Sequence, residues 1–143
     1  TFNYFDHESG EVMMVDYDTN GDGVANHFRR YTSDDANNLI LYEVIEEDGH
    51  ISFQEIHTYD GDRNRLSTEK ERSGEPSASE YWEYNTDGHV TSYSFDVNSN
   101  GQFNQTYEFQ YTENGNLENW AADTTGDGEI DSLHGYVFGC QTD

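Results

Sequence analysis

The chain has few positive charges, one cysteine, one proline and no long apolar stretch. Its 143 residues include 6 lysines and arginines against 30 aspartates and glutamates, which gives a formal net charge of −24. A surface of this sign repels phosphate backbones, so the composition argues against a partner made of DNA or RNA. The same self-repulsion opposes a compact state unless cations offset it, and this makes bound metal ions attractive on charge alone.

The scarce residue types limit the architecture further. Cys140 has no second cysteine with which to form an internal disulfide, and its role stays open. No apolar run approaches the roughly 18 residues of a membrane-spanning helix, so we expect no membrane span. The only proline, Pro76, lies in the one flexible-looking stretch, Ser73–Ser79, and no low-complexity linker divides the chain. We therefore expect a single domain over residues 1–143, with a core that is aromatic rather than leucine-rich.

What the chain does contain is an internal repeat of 25 to 27 residues, marked by glycine. The copy from Tyr84 to Gly101 returns 27 residues later, from Tyr111 to Gly128. Fixed-period self-similarity is typical of repeat architectures. One glycine series comprises Gly10, Gly61, Gly88 and Gly115, with Asn37-Asn38 in the second copy; the other comprises Gly23, Gly49, Gly74, Gly101 and Gly128.

The segments between these marks predict β-strands. They are rich in Tyr, Phe, Val, Ile and Thr and are bounded by Asn-Gly and Asp-Gly, as strands joined by hairpins are. Period-two alternation supports this, because the apolar residues of the fourth copy fall on one face: Phe103, Tyr107, Phe109 and Tyr111, together with Gln105.

We predict an all-β fold of about ten antiparallel strands, in a meander of five hairpin repeats. A closed or strongly curled, barrel-like sheet is favoured, because only closure removes both exposed edges. An open single-layer repeat sheet is the alternative.

Three turns place oxygen-bearing side chains at alternate positions, followed by a glycine at position 6 that permits a sharp turn. Calcium takes six to eight oxygen ligands, and such spacing can bring them together. The sequence therefore predicts calcium sites, above all in the first and fifth copies; Asn, Asp and Gly are also what tight hairpins require, so a purely structural role is the alternative. The first loop offers Asp18, Asn20, Asp22, the Val24 carbonyl and Asn26; the fifth offers Asp123, Thr125, Asp127, the Glu129 carbonyl and Asp131; the fourth, weaker, offers Asp96, Asn98, Asn100 and Asn104.

These loops resemble the Asp-x-Asn-x-Asp-Gly-x-x-Asn loops of dockerins, thrombospondin type 3 repeats and EF-hands. An EF-hand has a bidentate acid at position 12, where this chain has Arg29, Tyr107 and His134. Flanking helices are not expected either. The resemblance therefore implies an open hairpin-turn site, weaker than an EF-hand, to which Asp16 can add a ligand in the first copy.

Aligning the copies on the second glycine predicts a row of ionisable residues on the inner face. If the sheet closes, this row and an aromatic belt converge in the lumen and form a pocket for a small polar-aromatic ligand. Alternatively, they form an acid–base site, for which Glu55, Glu80, His57 and His134 are the candidate catalytic residues. An internal ion-pair network without a ligand, or an open sheet that leaves this level in contact with water, is the non-functional alternative. The row comprises Arg29, Glu55, Glu80, Tyr107 and His134, and the belt comprises Tyr31, His57, Trp82, Phe109 and Tyr136.

The turns from Tyr84 to Gly88 and from Tyr111 to Gly115 resemble the YD repeats of RHS-type proteins. Those proteins are secreted or surface-exposed and spiral β-hairpins into shells. The resemblance implies an extracytoplasmic bacterial repeat protein, and it supplies no catalytic residues.

Three functions follow, in order of preference. The first is a non-enzymatic, secreted or periplasmic acidic repeat module that binds calcium at its turns. The second is a small-molecule-binding or catalytic β-barrel. The third is an acidic inhibitor or immunity-type partner of a basic protein. The oligomeric state is left open, because unpaired strand edges can also pair between molecules.

Overall fold

The computed structural model describes residues 2–6 and 12–136, and all regular elements in these ranges are β-strands. No helix with the length and hydropathy needed to cross a bilayer occurs within them. The strands are β1 (Phe2–Asp6), β2 (Val12–Tyr17), β3 (His27–Ser33), β4 (Leu39–Glu46), β5 (Ile51–Tyr59), β6 (Arg65–Arg72), β7 (Glu75–Tyr84), β8 (Val90–Asp96), β9 (Gln105–Tyr111), β10 (Leu117–Asp123) and β11 (Ser132–Gly135).

Each strand lies beside its neighbours in sequence, so the order of the sheet follows the chain from β1 to β11. The prediction of an all-β antiparallel meander of hairpins is confirmed. That order puts β1 and β11 at its two ends and does not pair them, so the predicted barrel closure is not confirmed. The open sheet, which the sequence also allowed, is compatible with the order.

The chain divides into two compact units, Thr1–Ser79 and Glu80–Asp143. In the first unit, rings follow one another across neighbouring strands on one face, with 5.1 Å between the ring centres of Tyr31 and Tyr42 and 6.1 Å between those of Tyr42 and Phe53. The opposite face holds an ion pair in which Arg30 Nη2 donates to Glu43 Oε1 at 2.8 Å. Glu43 is only 3% exposed, so this pair satisfies a carboxylate that would be costly to bury alone.

The second unit has a longer row of rings on one face. The ring centres of Tyr93 and Tyr107 lie 5.9 Å apart, and Trp120 and His134 stack at 4.2 Å. Most of these rings are half-buried, and Ala122, at 1% exposed, is the one fully covered apolar side chain in the described part of the chain. Apolar burial therefore comes mainly from rings packed against rings, in line with the aromatic composition.

Five five-residue turns have the same geometry; four of them, beginning at Asp34, Asp60, Asn85 and Thr112, recur at the period of the repeat, and the fifth begins at Glu46. The fourth residue of each has positive φ and donates its amide to the carbonyl of the first residue. This equivalence confirms the internal repeat, and it corrects one assignment: the counterpart of Gly88 is Arg63, with φ 70°, and not Gly61. Gly61 occupies the second turn position, where the φ is not positive, so spacing from neighbouring glycines misplaced the turn by two residues.

The predicted alternation of the fourth copy is wrong at its first residue. Phe103 precedes β9, and its ring lies 5.6 Å from that of Tyr81, whereas the neighbouring Trp82 contacts Tyr93 on the face that carries Tyr107. Because adjacent strand residues point to opposite faces, Phe103 lies on the face opposite Tyr107. The preceding loop extends to Asn104, and this is why regular alternation begins only at Gln105.

Candidate functional site

Three long loops connect strands at β2–β3, β8–β9 and β10–β11, and they are called here loop A (residues 18–26), loop B (96–104) and loop C (123–131). Each closes in the same way, because the side chain of its ninth residue accepts the amide of its second. Asn26 Oδ1 accepts from Thr19 at 3.0 Å, Asn104 Oδ1 from Val97 at 2.8 Å, and Asp131 Oδ2 from Thr124 at 2.7 Å. The ninth position is thus a structural clamp in all three loops.

The first aspartate of each loop is the centre of the turn. Asp18 accepts the amides of Gly21 and Gly23 at 2.6 and 2.9 Å. Asp123 accepts those of Gly126 and Gly128 at 2.7 and 2.8 Å. Loop B differs slightly, since Asp96 accepts the amides of Asn98 and Gly101, at 3.1 and 2.8 Å.

This arrangement requires positive φ at two positions of each loop. Position 6 is glycine in all three, as the sequence indicated, with φ of 89° at Gly23, 85° at Gly101 and 86° at Gly128. Position 4 also has positive φ, which the sequence analysis missed. Gly21 and Gly126 gave a signal for it, but loop B has Ser99 there, with φ 50°.

These hydrogen bonds keep the first aspartates ionised. The amides of Gly23 and Gly21 lower the pKa of Asp18 below its ordinary value. Asp96 is 2% exposed, and although burial is the largest influence and acts to raise its pKa, the amides donated to it together hold that pKa low. The pKa of Asp131 is lowered as well, chiefly by the Thr124 amide, against the opposing charge of Asp123. The loops therefore concentrate negative charge rather than neutralise it.

Side chains at position 5 also cap the backbone two residues further on. Asp22 Oδ1 accepts the Val24 amide at 2.8 Å, Asn100 Oδ1 the Gln102 amide at 2.9 Å, and Asp127 Oδ1 the Glu129 amide at 2.9 Å.

Within the described ranges, no three His, Cys, Asp or Glu side chains converge as a metal-binding group. Calcium loops take amide, hydroxyl and backbone carbonyl oxygens as well, and positions 3, 7 and 9 of these loops provide such oxygens.

Loops B and C are packed against each other within the second unit. A Cβ atom on Gly126 would lie 2.5 Å from the carbonyl oxygen of Phe103 and 3.1 Å from Cα of Asn104. Position 4 of loop C must therefore be glycine for space as well as for φ. A single sequence gives no sign of this contact, because it joins two copies of the repeat.

The residues of the predicted ionisable row do not lie level with one another across the strands, in contrast to the alignment on glycine. In the first unit, Arg29 pairs with Val44, which pairs with Phe53, whereas Glu55 pairs with Tyr42, which pairs with Tyr31. Arg29 and Glu55 thus lie in cross-strand rows that are two residues apart along the strands. The Arg29 guanidinium instead lies 4.9 Å from the ring centre of Tyr17.

Two of the predicted acid–base residues do come together in the first unit. Glu55 Oε2 lies 3.9 Å from His57 Nε2, and the other ring nitrogen of His57 is 2.9 Å from the Thr68 hydroxyl. His57 is 6% exposed, so its imidazole is held between neighbouring groups rather than presented to a substrate.

In the second unit, the residues of the predicted ionisable row also lie in different cross-strand rows. Tyr107 pairs with Ala122, and Phe109 pairs with Trp120, which pairs with His134. Glu80 Oε2 accepts a hydrogen bond from the Tyr93 hydroxyl at 3.3 Å, and burial followed by the Glu80 charge raises the pKa of Tyr93. Tyr136, from the predicted belt, is 51% exposed.

Comparison with known proteins assigns no family. No protein-family model matches the chain, and no curated protein has a significant sequence match to it. The likeness to YD repeats and to calcium loops stays a prediction from the turns themselves.

Proposed function

We propose that this protein is a non-enzymatic, secreted or periplasmic β-hairpin repeat module that binds calcium at loops A, B and C. The observation that carries the proposal is the shared scaffold of the three loops. In each, an ionised aspartate is held by backbone amides, two positive-φ residues bend the chain, and oxygen-bearing side chains recur at positions 1, 3, 5 and 9. Hairpin formation alone requires far fewer residues than this.

Charge supports a cation as the ligand. The chain has a formal net charge of −24, loop C contains no lysine or arginine, and the charge of Asp123 acts on Asp131 within it. Asp16, two residues before loop A, is a further candidate calcium ligand, because its Oδ1 is buried without a hydrogen-bond partner. A calcium ion coordinated there would satisfy that oxygen and offset the repulsion.

The loops differ in the number of carboxylates, and this sets the expected order of affinity. At positions 1, 5 and 9, loop C has Asp123, Asp127 and Asp131, loop A has Asp18 and Asp22, and loop B has only Asp96. We expect calcium to bind most tightly to loop C and least tightly to loop B, because ligand charge tunes calcium affinity.

The proposal does not depend on barrel closure. Each loop is closed by its own hairpin, so it works equally in an open or in a curled sheet. Extracellular calcium modules bind with dissociation constants of about 10⁻⁴ to 10⁻³ M, a range suited to loops without the bidentate acid of an EF-hand. An extracytoplasmic location fits that affinity.

The test is thermal unfolding in millimolar calcium and in chelator, with magnesium as a control ion. At about 10 mM calcium, which is 100 Kd for a site with a Kd of about 10⁻⁴ M, one site adds about 2.7 kcal/mol to the free energy of unfolding, so we expect a rise in melting temperature of several degrees. Asp127→Asn should reduce the rise, whereas the matched variant Asp62→Asn, in a five-residue turn, should not. An equal melting temperature in calcium and chelator would reject the proposal.

A further inference from the structure

Positive charge is distributed unevenly along the chain. All six lysines and arginines lie between Arg29 and Arg72, and residues 80–136 contain none, although they include eleven aspartates and glutamates. Two histidines, His89 and His134, are the sole other basic side chains of that segment. The second unit therefore presents acidic and aromatic groups without an arginine or lysine of its own.

In the first unit, arginines lie against aromatic rings. The Arg29 guanidinium carbon is 4.9 Å from the ring centre of Tyr17, and that of Arg72 is 5.3 Å from the ring centre of Phe53. Both distances are within the range of cation–π attraction. Rings on this kind of strand surface are thus good partners for a guanidinium group.

A cleft in the second unit combines rings with carboxylates. It has a volume of about 460 Å³ and lies beside two of the five-residue turns. His89 and Tyr111 stack there with ring centres 4.7 Å apart, and Phe109 lines the same cleft. Asp87, Glu113 and Glu118, all exposed, also line it, together with neutral polar side chains. The Nδ1 atom of His89 is buried without a hydrogen-bond partner.

We propose that this cleft binds an arginine or lysine side chain of a basic partner protein. The long side chain lies along Tyr111 and Phe109, and its charge is neutralised by Glu113 and Glu118. Charge complementarity selects this occupant: a nucleic acid is repelled by the acidic surface, and a neutral sugar leaves the three carboxylates without a counter-charge. The inference does not depend on calcium binding by the loops.

The test uses a short arginine-glycine peptide, with the citrulline-glycine peptide of equal length as its neutral isostere. Binding is measured by calorimetry and by tryptophan fluorescence, which is a local probe because both tryptophans, Trp82 and Trp120, lie in residues 80–136. Trp120 pairs directly with Phe109 of the cleft. We expect the arginine peptide to bind at least tenfold more tightly than the citrulline peptide, in chelator as well as in calcium.

Variants localise the binding. Glu113→Gln should weaken the arginine peptide about tenfold, since a lost charge pair of about 1.4 kcal/mol corresponds to that factor. Glu108→Gln is the matched control, because Glu108 is exposed but points to the face opposite Phe109. Tyr111→Phe should keep the ring contact and the affinity, while Tyr111→Leu should reduce the affinity several-fold.

Three results would overturn the inference. The first is equal binding of the arginine and citrulline peptides. The second is equal weakening by Glu108→Gln and by Glu113→Gln, which would indicate general charge attraction. The third is binding of a neutral oligosaccharide in place of the arginine peptide. Far-ultraviolet circular dichroism of each variant verifies that the sheet is intact.

Discussion

The five-residue turns and loops A, B and C solve the same backbone problem with the same residue types, but they treat charge differently. In the two short turns that begin with aspartate, that aspartate is satisfied by a neutral amide: Asn38 Nδ2 donates to Asp34 at 2.9 Å, and Asn64 Nδ2 donates to Asp60 at 2.9 Å. In loop C, the first aspartate, Asp123, instead acts on a second carboxylate. Its negative charge favours a higher pKa for Asp131. The short turns are complete as they stand, whereas the long loops concentrate charge that a cation would offset.

Acidification is expected to have the largest effect on the stability of the fold. The pKa of Asp18, Asp96 and Asp123 is lowered in the folded state from the ordinary value of 3.8. The folded state therefore binds protons more weakly than the unfolded state, and its stabilisation is complete above that value and lost as the pH falls below it. Circular dichroism on acidification should show unfolding below about pH 4 in chelator.

Calcium separates the two regions in the same experiment. If it binds only the long loops, it should move the acid midpoint to lower pH in the parent chain and less so in Asp127→Asn. An identical midpoint with and without calcium would contradict the distinction between loops and turns.

The next largest effect is expected at Gly126. Gly126→Ala combines an unfavourable φ of 73° with a Cβ placed 2.5 Å from the Phe103 carbonyl oxygen. The sum of strain and overpacking should cost about 3 kcal/mol of unfolding free energy. Gly128→Ala is the control in the same loop, since its φ is 86° but nothing lies within 4 Å of its Cβ. It should cost only about 1 kcal/mol, as measured by urea unfolding.

Similar costs for the two glycine variants would show that loops B and C do not pack as described. A larger cost for Gly126→Ala would establish that loops B and C are mechanically coupled.

A smaller effect tests the order of calcium affinity. Asn100→Asp gives loop B a second carboxylate at position 5, as in loops A and C. We expect calcium affinity at loop B to rise about tenfold, or about 1.4 kcal/mol, because carboxylate count tunes such loops. Calorimetric titration measures this. Asn114→Asp, in a five-residue turn, adds the same charge and should leave the affinity unchanged.

The smallest effect concerns the corrected turn. Arg63 has φ 70°, a conformation that glycine adopts without strain, so Arg63→Gly should stabilise the fold by about 0.5 to 1 kcal/mol. Gly61→Ala should be close to neutral, because Gly61 has no positive φ and no atom within 4 Å of its Cβ. The reverse outcome would restore the glycine alignment that the sequence suggested.

The sequence predicted the hairpins and the loops, but it did not predict the register of the strands in the sheet. Repeated glycines identified positions 6 of the loops, since glycine is the residue that takes positive φ at least cost. They did not reveal Arg63 or Ser99, which take positive φ without being glycine. Register was hidden too, because Gly23 lies four residues before β3 whereas Gly49 lies only two residues before β5. Residues counted from these glycines are therefore offset by two, and Arg29 does not lie level with Glu55.

Contacts between copies were the least predictable part. The approach of Gly126 to Phe103 depends on where two loops end in space, and spacing along a chain does not encode that. The fit of rings and carboxylates around His89 and Tyr111 likewise joins residues of different strands and turns.

The most direct measurement is an anomalous-scattering map from crystals grown in millimolar calcium. We predict a peak inside loop C, coordinated by Asp123 and Asp127 with the Glu129 carbonyl, and a second peak in loop A. A map without a peak in any of the three loops, with the loop hydrogen bonds unchanged, would contradict it.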